Sequence, residues 1–175
     1  EEALRFGIPL IPHLCGAFLI ISFDRFFINT YLGQGLVAQY MVAVQLGSII
    51  AIIFDAINRA FVPWLFTNLK LRNNRINQQM VRYTYFSFAL LLFLVPLGFY
   101  AGPKMLLLIA GSKYYPASEI IGIIIFGQIL GGMYLLVTNY IFYSKKMYYL
   151  SIASISCGLF NILLLTHLVP YYGIM

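Results

Sequence analysis

Few polar side chains interrupt the long apolar runs of this sequence, and two of them have a spacing that can do chemistry. Asp55 and Arg59 lie four residues apart. A helix would place them on one face, with the acid on the favourable N-terminal side. The pair has two interpretations. Either it neutralises itself near a helix end, with the arginine reaching for water, or it borders a polar cavity in which Arg59 binds an anionic group.

The remaining candidates are single polar residues inside or at the ends of apolar runs: His13, Asp24, Arg25, Gln45 and Gln128. A charge at mid-bilayer costs at least about 2.5–3.5 kcal/mol, so such residues usually face protein or a wet cavity. His13 is either a hydrogen-bonded core histidine or a residue that contacts a ligand or carries a proton. Asp24 and Arg25 point about 100° apart on a helix. They are either interfacial, or Arg25 enters the outer half of a cavity.

Sequence motifs for catalysis and metal binding are absent. The chain has no HExxH, no GxSxG and no phosphate-binding loop, and two of its five acids are terminal. Cys15 and Cys157 lie in apolar runs, where we expect buried free thiols rather than a disulfide or a metal site. We therefore predict a protein that is not an enzyme and that uses neither a metal nor another cofactor.

The composition excludes a soluble domain. Of the 175 residues, 62% are hydrophobic and 9% are charged, whereas soluble domains have about 25% charged residues. A net charge of +6 would suggest nucleic acid in a soluble protein. Here the cations cluster between apolar runs, which is typical of membrane orientation. The expected surroundings are membrane lipids, and no nucleic-acid partner is expected.

Five apolar stretches are long enough for helices that cross a membrane, which need roughly 20 residues. We place them at 6–26, 36–66, 83–101, 118–143 and 148–169. Residues 90–95 are apolar at every position, unlike the alternating strands of a barrel. The fold class is therefore all-α, a polytopic membrane helix bundle. Pro63 and Pro96 should kink or end their helices, and 103–110 should form a separate interfacial helix that ends at Gly111.

The basic residues orient the five spans consistently. The segment 69–75 with Arg82, and the pair Lys145-Lys146, carry the densest positive charge, so both connections should face the cytoplasm. The uncharged connection 27–35 should then lie outside. We also expect helix contacts at small residues spaced by four: Ala43, Gly47 and Ala51; Gly127 and Gly131; Ser154 and Gly158.

Several short segments follow one another in an order that identifies a resemblance. They are Gly7-Ile8-Pro9-Leu10, Asp24-Arg25-Phe26-Phe27-Ile28, Leu32-Gly33, Tyr40-Met41-Val42-Ala43, Pro63, the hairpin from Ala110 to Ala117, and Leu168 to Ile174. In this order they resemble the C-terminal half of polysaccharide transporters of the O-antigen flippase type. These belong to the multidrug/oligosaccharidyl-lipid/polysaccharide exporter superfamily. One departure is Ala38-Gln39 before Tyr40, where that family often has a glycine.

The resemblance implies that residues 1–175 form most of the C-terminal lobe of a two-lobed transporter, with the N-terminal half of the same transporter as a partner. It implies a substrate, an undecaprenyl-diphosphate-linked oligosaccharide, that is flipped across the cytoplasmic membrane by alternating access. A cationic cavity would suit this anionic cargo, and Arg25 and Arg59 are its expected contributors.

Three alternatives remain open at this point. An ion-coupled multidrug exporter of the same superfamily would use interior acids, here Asp24 and Asp55. A lipid II flippase is the second alternative. A membrane-embedded polysaccharide polymerase or ligase is the third, and it would need a long outward loop with catalytic groups.

Overall fold

The computed structural model of the chain describes residues 7–8, 10–71 and 74–173. In these ranges the chain folds into five long α-helices and one short 3-10 turn at Ser112–Tyr114, without strands. The helices are α1 (Leu10–Leu32), α2 (Gln34–Lys70), α3 (Asn74–Ala110), α4 (Tyr115–Tyr143) and α5 (Met147–Tyr172). Each of the five is long and apolar enough to cross a membrane. The all-α membrane fold is thus confirmed.

The helices extend beyond the predicted spans because a helix does not end where its apolar stretch ends. The predicted extent of the connection 27–35 is wrong, since α1 and α2 are separated by Gly33 alone. Its place outside the membrane stays a prediction. Gly33 has φ +85°, a conformation that favours glycine. Several positions of the sequence predictions lie outside the described residues, among them Phe6, Pro9, 72–73 and Ile174.

The proline predictions need correction. Neither Pro63 nor Pro96 ends its helix, and α3 also continues through Pro103 to Ala110. The separate interfacial helix at 103–110 is therefore wrong. A membrane helix tolerates proline where neighbouring helices support it, and α3 is supported at this point because Gly102 packs against α4. The predicted end is confirmed: Gly111 has φ +87° and its N–H donates to the Leu107 carbonyl at 3.0 Å.

The described residues divide into two packed units, which fall within Glu1–Tyr40 with Tyr140–Met175 and within Met41–Asn139. In the first unit α1 packs on α5. The closest approach is at Gly16, where an added Cβ would lie 2.5 Å from the backbone carbonyl carbon of Ser154. Gly158 lies in the same contact, where an added Cβ would lie 3.1 Å from the Gly16 carbonyl oxygen. The predicted packing role of Ser154 and Gly158 is confirmed.

In the second unit α2 and α3 both pack against α4. Gly47 of α2 faces Ile124, and Gly102 of α3 faces Ile121 and Ile125. Ala43 and Gly47 are buried as predicted. The prediction for Gly127 and Gly131 is wrong within the described residues, because an added Cβ at either would meet nothing within 4 Å. Gly127 and Gly131 therefore lie on a face of α4 that differs from the face packed against α2 and α3.

Both cysteines also differ from expectation. Cys15 and Cys157 are free, but they are exposed rather than buried. Their neighbours Gly16 and Gly158 occupy the contact between α1 and α5. Because adjacent residues on a helix point about 100° apart, the thiols lie beside that contact rather than in it.

Candidate functional site

Asp24 accepts two side-chain hydrogen bonds in the first unit. The Tyr40 hydroxyl donates to Asp24 Oδ2 at 2.9 Å, and the Asn161 amide donates to Oδ1 at 3.3 Å. Asp24 lies on α1, Tyr40 near the start of α2, and Asn161 in the middle of α5. We refer to these three residues as the Asp24 cluster. A half-buried carboxylate thus has a donor at each oxygen, which lowers the cost of placing it in an apolar helix.

Arg25 follows Asp24 on α1 and is exposed. It therefore carries a positive charge on the surface of the first unit, next to the Asp24 cluster in sequence but pointing in a different direction around the helix. This is the placement that a cavity-lining arginine needs, and also the one that an interfacial arginine would have.

His13 is hydrogen-bonded across the contact between α1 and α5. Its Nδ1 lies 2.5 Å from the Ser154 hydroxyl, one turn from Gly16. The small residues bring the two helices close enough for this bond to form. The contact fits the interpretation of His13 as a satisfied histidine between helices, and a role in ligand contact or proton transfer stays a prediction.

Asp55 and Arg59 form the ion pair that their spacing predicts. Arg59 Nε donates to Asp55 Oδ2 at 2.8 Å. The side chains are 49% and 80% exposed respectively, so the pair lies on the surface of the second unit rather than in its core. An exposed pair of this kind contributes little to stability in water. Its place on a helix long enough to span the membrane makes it a candidate for binding instead.

A second polar contact of this unit was not among the predicted site residues. The Asn139 amide on α4 donates to the Asn58 carbonyl oxygen on α2 at 2.6 Å. Asn58 lines a cavity of about 180 Å³ together with Ser87 and otherwise apolar residues of α2, α3 and α4. The signal in the sequence was the presence of an asparagine in each of two apolar spans. Their pairing could not be predicted, because 81 residues separate them.

The surroundings of the two predicted glutamines give less support for a role in binding. Gln45 is exposed, and its backbone carbonyl accepts a hydrogen bond from Ser48. Gln128 is half-buried on α4. The seven predicted site residues thus divide between the units. His13, Asp24 and Arg25 belong to the first, whereas Gln45, Asp55, Arg59 and Gln128 belong to the second.

The fold and these polar groups define an α-helical membrane protein. No group of three or more His, Cys, Asp or Glu side chains that could hold a metal ion occurs among residues 7–8, 10–71 and 74–173. No family model matches the chain, and no solved structure matches it.

Two curated relatives come from Haemophilus influenzae. The protein named "Lsg locus putative protein 1" is 28% identical over 185 aligned positions, which cover 98% of this chain and 44% of the relative. The protein named "Uncharacterized membrane protein" is 29% identical over 161 positions, which cover 87% of this chain and 37% of the relative. The chain therefore spans less than half the length of these relatives.

Proposed function

We propose that this chain is part of a transporter that flips a lipid-linked oligosaccharide across the cytoplasmic membrane by alternating access. The observation that carries the proposal is the placement of Arg25 and Arg59. Both lie in helices able to span a membrane, and both are exposed on the surface of their unit. Facing lipid there is costly, and facing a wet cavity formed with the rest of a longer protein is not.

The chemistry of the cargo suits such a cavity. A sugar headgroup cannot cross hydrocarbon alone, because its hydroxyls would lose their hydrogen bonds to water. Guanidinium groups bind phosphate oxygens through paired hydrogen bonds. In this proposal Arg25 and Arg59 are separate contacts, one on each unit, for the diphosphate of the undecaprenyl-diphosphate-linked oligosaccharide during its passage, and Asp55 keeps Arg59 oriented through its Nε bond.

The connection between α3 and α4 also supports transport over polymerase or ligase chemistry. It consists of Gly111 and the turn Ser112–Tyr114, which leaves little chain for a catalytic loop on that side. Transport by alternating access requires no covalent step.

The test uses the full-length protein in proteoliposomes with a fluorescent undecaprenyl-diphosphate oligosaccharide, and follows its transfer between leaflets by quenching from outside. We expect Arg25→Ala and Arg59→Ala each to lower the flipping rate about tenfold or more, since a hydrogen bond to a charged group is worth about 1.5–3 kcal/mol. Arg25→Lys and Arg59→Lys should lose less, because they keep the charge.

Arg75→Ala is the matched control, because Arg75 is an exposed arginine at the start of α3 and should leave the rate unchanged. Unaltered flipping in both single variants and the double variant would refute the role of the two arginines. Drug efflux without oligosaccharide transfer would favour the multidrug exporter. Transfer of a lipid II analogue in preference to the oligosaccharide lipid would favour the lipid II flippase.

A further inference from the structure

One side of α2 carries a series of polar residues through the middle of the helix: Gln45, Ser48, Asp55 and Arg59. A helix turns by about 100° per residue, so these four side chains lie within one arc of about 80°. Ile52 falls in the same arc and is 66% exposed. We call these five positions the polar edge of α2.

The neighbouring side of the same helix is apolar. Ile49, Ile53 and Ile57 are 50%, 51% and 58% exposed, and we call them the isoleucine edge. They line cavities that α2 forms with α3 and α4, whereas no residue of the polar edge lines these cavities. The exposed surface of α2 therefore divides along the helix axis into a polar part and an apolar part.

The polar edge occupies the middle of α2. In the helix Gln34–Lys70, the stretch 34–44 precedes the edge and the equally long stretch 60–70 follows it. From Gln45 to Arg59 the helix rises about 21 Å, which is less than the thickness of the hydrocarbon core of a bilayer, about 30 Å. A span centred in the membrane thus holds the whole edge at hydrocarbon depth.

The groups of this edge need hydrogen-bond partners that hydrocarbon lacks. Arg59 is 80% exposed and its bond to Asp55 engages the Nε–H, while the terminal N–H groups of a guanidinium are further donors. The Gln45 side chain is also exposed, and its amide both donates and accepts. Water satisfies donors and acceptors alike, whereas an acyl chain satisfies neither.

Water also fits the polar edge better than a dry contact with another helix. Where α2 does pack on a helix, it uses a small residue, Gly47, which faces Ile124 on a different side of α2. The polar edge instead exposes the long side chains of Gln45, Ile52 and Arg59. A dry partner would have to match an amide, a carboxylate and a guanidinium, each with its own hydrogen-bond geometry.

We propose that the polar edge of α2 borders a water-filled path through the middle of the membrane, and that the boundary between water and apolar surroundings runs between the polar edge and the isoleucine edge. The path suits a hydrophilic solute or headgroup. The inference rests on the proposed function in one respect, the wet surroundings of Arg59. It extends them along the helix to Gln45 and does not depend on which cargo is carried.

The experiment compares water access at adjacent residues, which share their depth in the membrane. Single cysteines replace Ile52 or Ile53, and Ser48 or Ile49, in the full-length protein without its native cysteines. A charged, membrane-impermeant methanethiosulfonate is present on both sides of proteoliposomes, and mass spectrometry follows the modified fraction with time. The reagent attacks the thiolate, which apolar surroundings disfavour, so we expect Ile52→Cys and Ser48→Cys to react about tenfold faster than their neighbours.

Ile53→Cys and Ile49→Cys are the matched controls, because the two isoleucines are exposed to a similar extent as Ile52 and differ from it in the edge they belong to. All four cysteines should react equally fast after unfolding in sodium dodecyl sulfate. Each variant should melt within a few degrees of the cysteine-free protein, and if one pair melts lower, the other pair decides. Equal rates within a folded pair, or no reaction at the polar edge before unfolding, would overturn the inference.

The two proposals can fail separately, because the labelling requires no substrate. Faster reaction at the polar edge of a protein that transfers no oligosaccharide would refute the proposed function and leave the water-filled path. Transfer of the oligosaccharide by a protein in which adjacent cysteines react equally would refute the path along α2 and leave the proposed function.

Discussion

At the scale of single residues, three sets of polar side chains form hydrogen bonds between helices of this protein. Asp24 accepts hydrogen bonds from Tyr40 and Asn161, His13 meets Ser154, and Asn58 meets Asn139. Each of these contacts joins different helices. Their removal should therefore be measurable as a loss of stability, separately from any effect on transport.

The Asp24 cluster gives the first prediction. Asp24→Ala should lower the free energy of unfolding because it leaves the Tyr40 hydroxyl and the Asn161 amide without their acceptor. A double-mutant cycle with Tyr40→Phe should give a coupling energy of about 1–2 kcal/mol, in the range of hydrogen bonds to charged groups. Unfolding in detergent is the measurement. Tyr31→Phe is the control on an exposed tyrosine, and a coupling near zero would contradict the bond.

The asparagine pair gives the second prediction. Asn58→Leu or Asn139→Leu should each destabilise the protein by about 0.6–2 kcal/mol, the range of hydrogen bonds between membrane helices. The double variant should lose less than the sum, because it leaves no unpaired amide. Thermal unfolding of the four proteins measures this, and strictly additive losses would show that the pair does not interact.

At the scale of the elements, glycines decide which helices come close. At Gly16 an added methyl would meet the backbone of α5, which cannot turn aside as a side chain can. Gly127 lies on an open face of its helix. The same substitution at the two positions therefore separates the effect of packing from that of helix propensity.

The third prediction follows from this comparison. Gly16→Ala should destabilise the protein by about 1–3 kcal/mol, as overpacking does. Gly127→Ala should be neutral or stabilise it by up to about 1 kcal/mol, because alanine favours helix over glycine. Melting temperatures in the same detergent provide the measurement. Equal effects at both positions would mean that α1 and α5 do not approach as described.

The sequence could predict the helices better than their contacts. The number of spans follows from the lengths of the apolar stretches. The end of α3 before Gly111 and the end of α4 at Tyr143 follow from residues near each end in the sequence. The continuation of α3 through Pro103 could not be predicted in this way, because it depends on support from α4 at Gly102. Small-residue spacing identified Ser154 and Gly158 correctly but misplaced the contact face of α4, since spacing alone does not tell which face has a neighbour.

The candidate site was predictable only within one helix. The bond between Asp55 and Arg59 follows from a spacing of four residues. The partners of Asp24 lie 16 and 137 residues away, and no local pattern relates them. The cavity beside Asn58 was not predicted, because it forms where α2, α3 and α4 meet.

At the scale of the whole molecule, the distribution of basic residues gives the fourth prediction. Asn74→Cys and Ser112→Cys lie at opposite ends of α3, so an impermeant thiol reagent should label them from opposite sides of the membrane. Cys15 and Cys157 must first be replaced by alanine, because both native thiols are exposed. We expect position 74 to react from the cytoplasmic side. Reaction of both positions from one side would contradict the orientation of the spans.

The lengths of α2 and α3 have a mechanical consequence. Each helix has 37 residues, or about 55 Å at 1.5 Å per residue, whereas a bilayer with its headgroups is about 40–45 Å thick. The surplus has to be taken up by inclination or by protrusion beyond the headgroups. We therefore expect α2 and α3 to stand more upright in a thicker membrane and to lean further in a thinner one, within the limits that their packing against α4 allows.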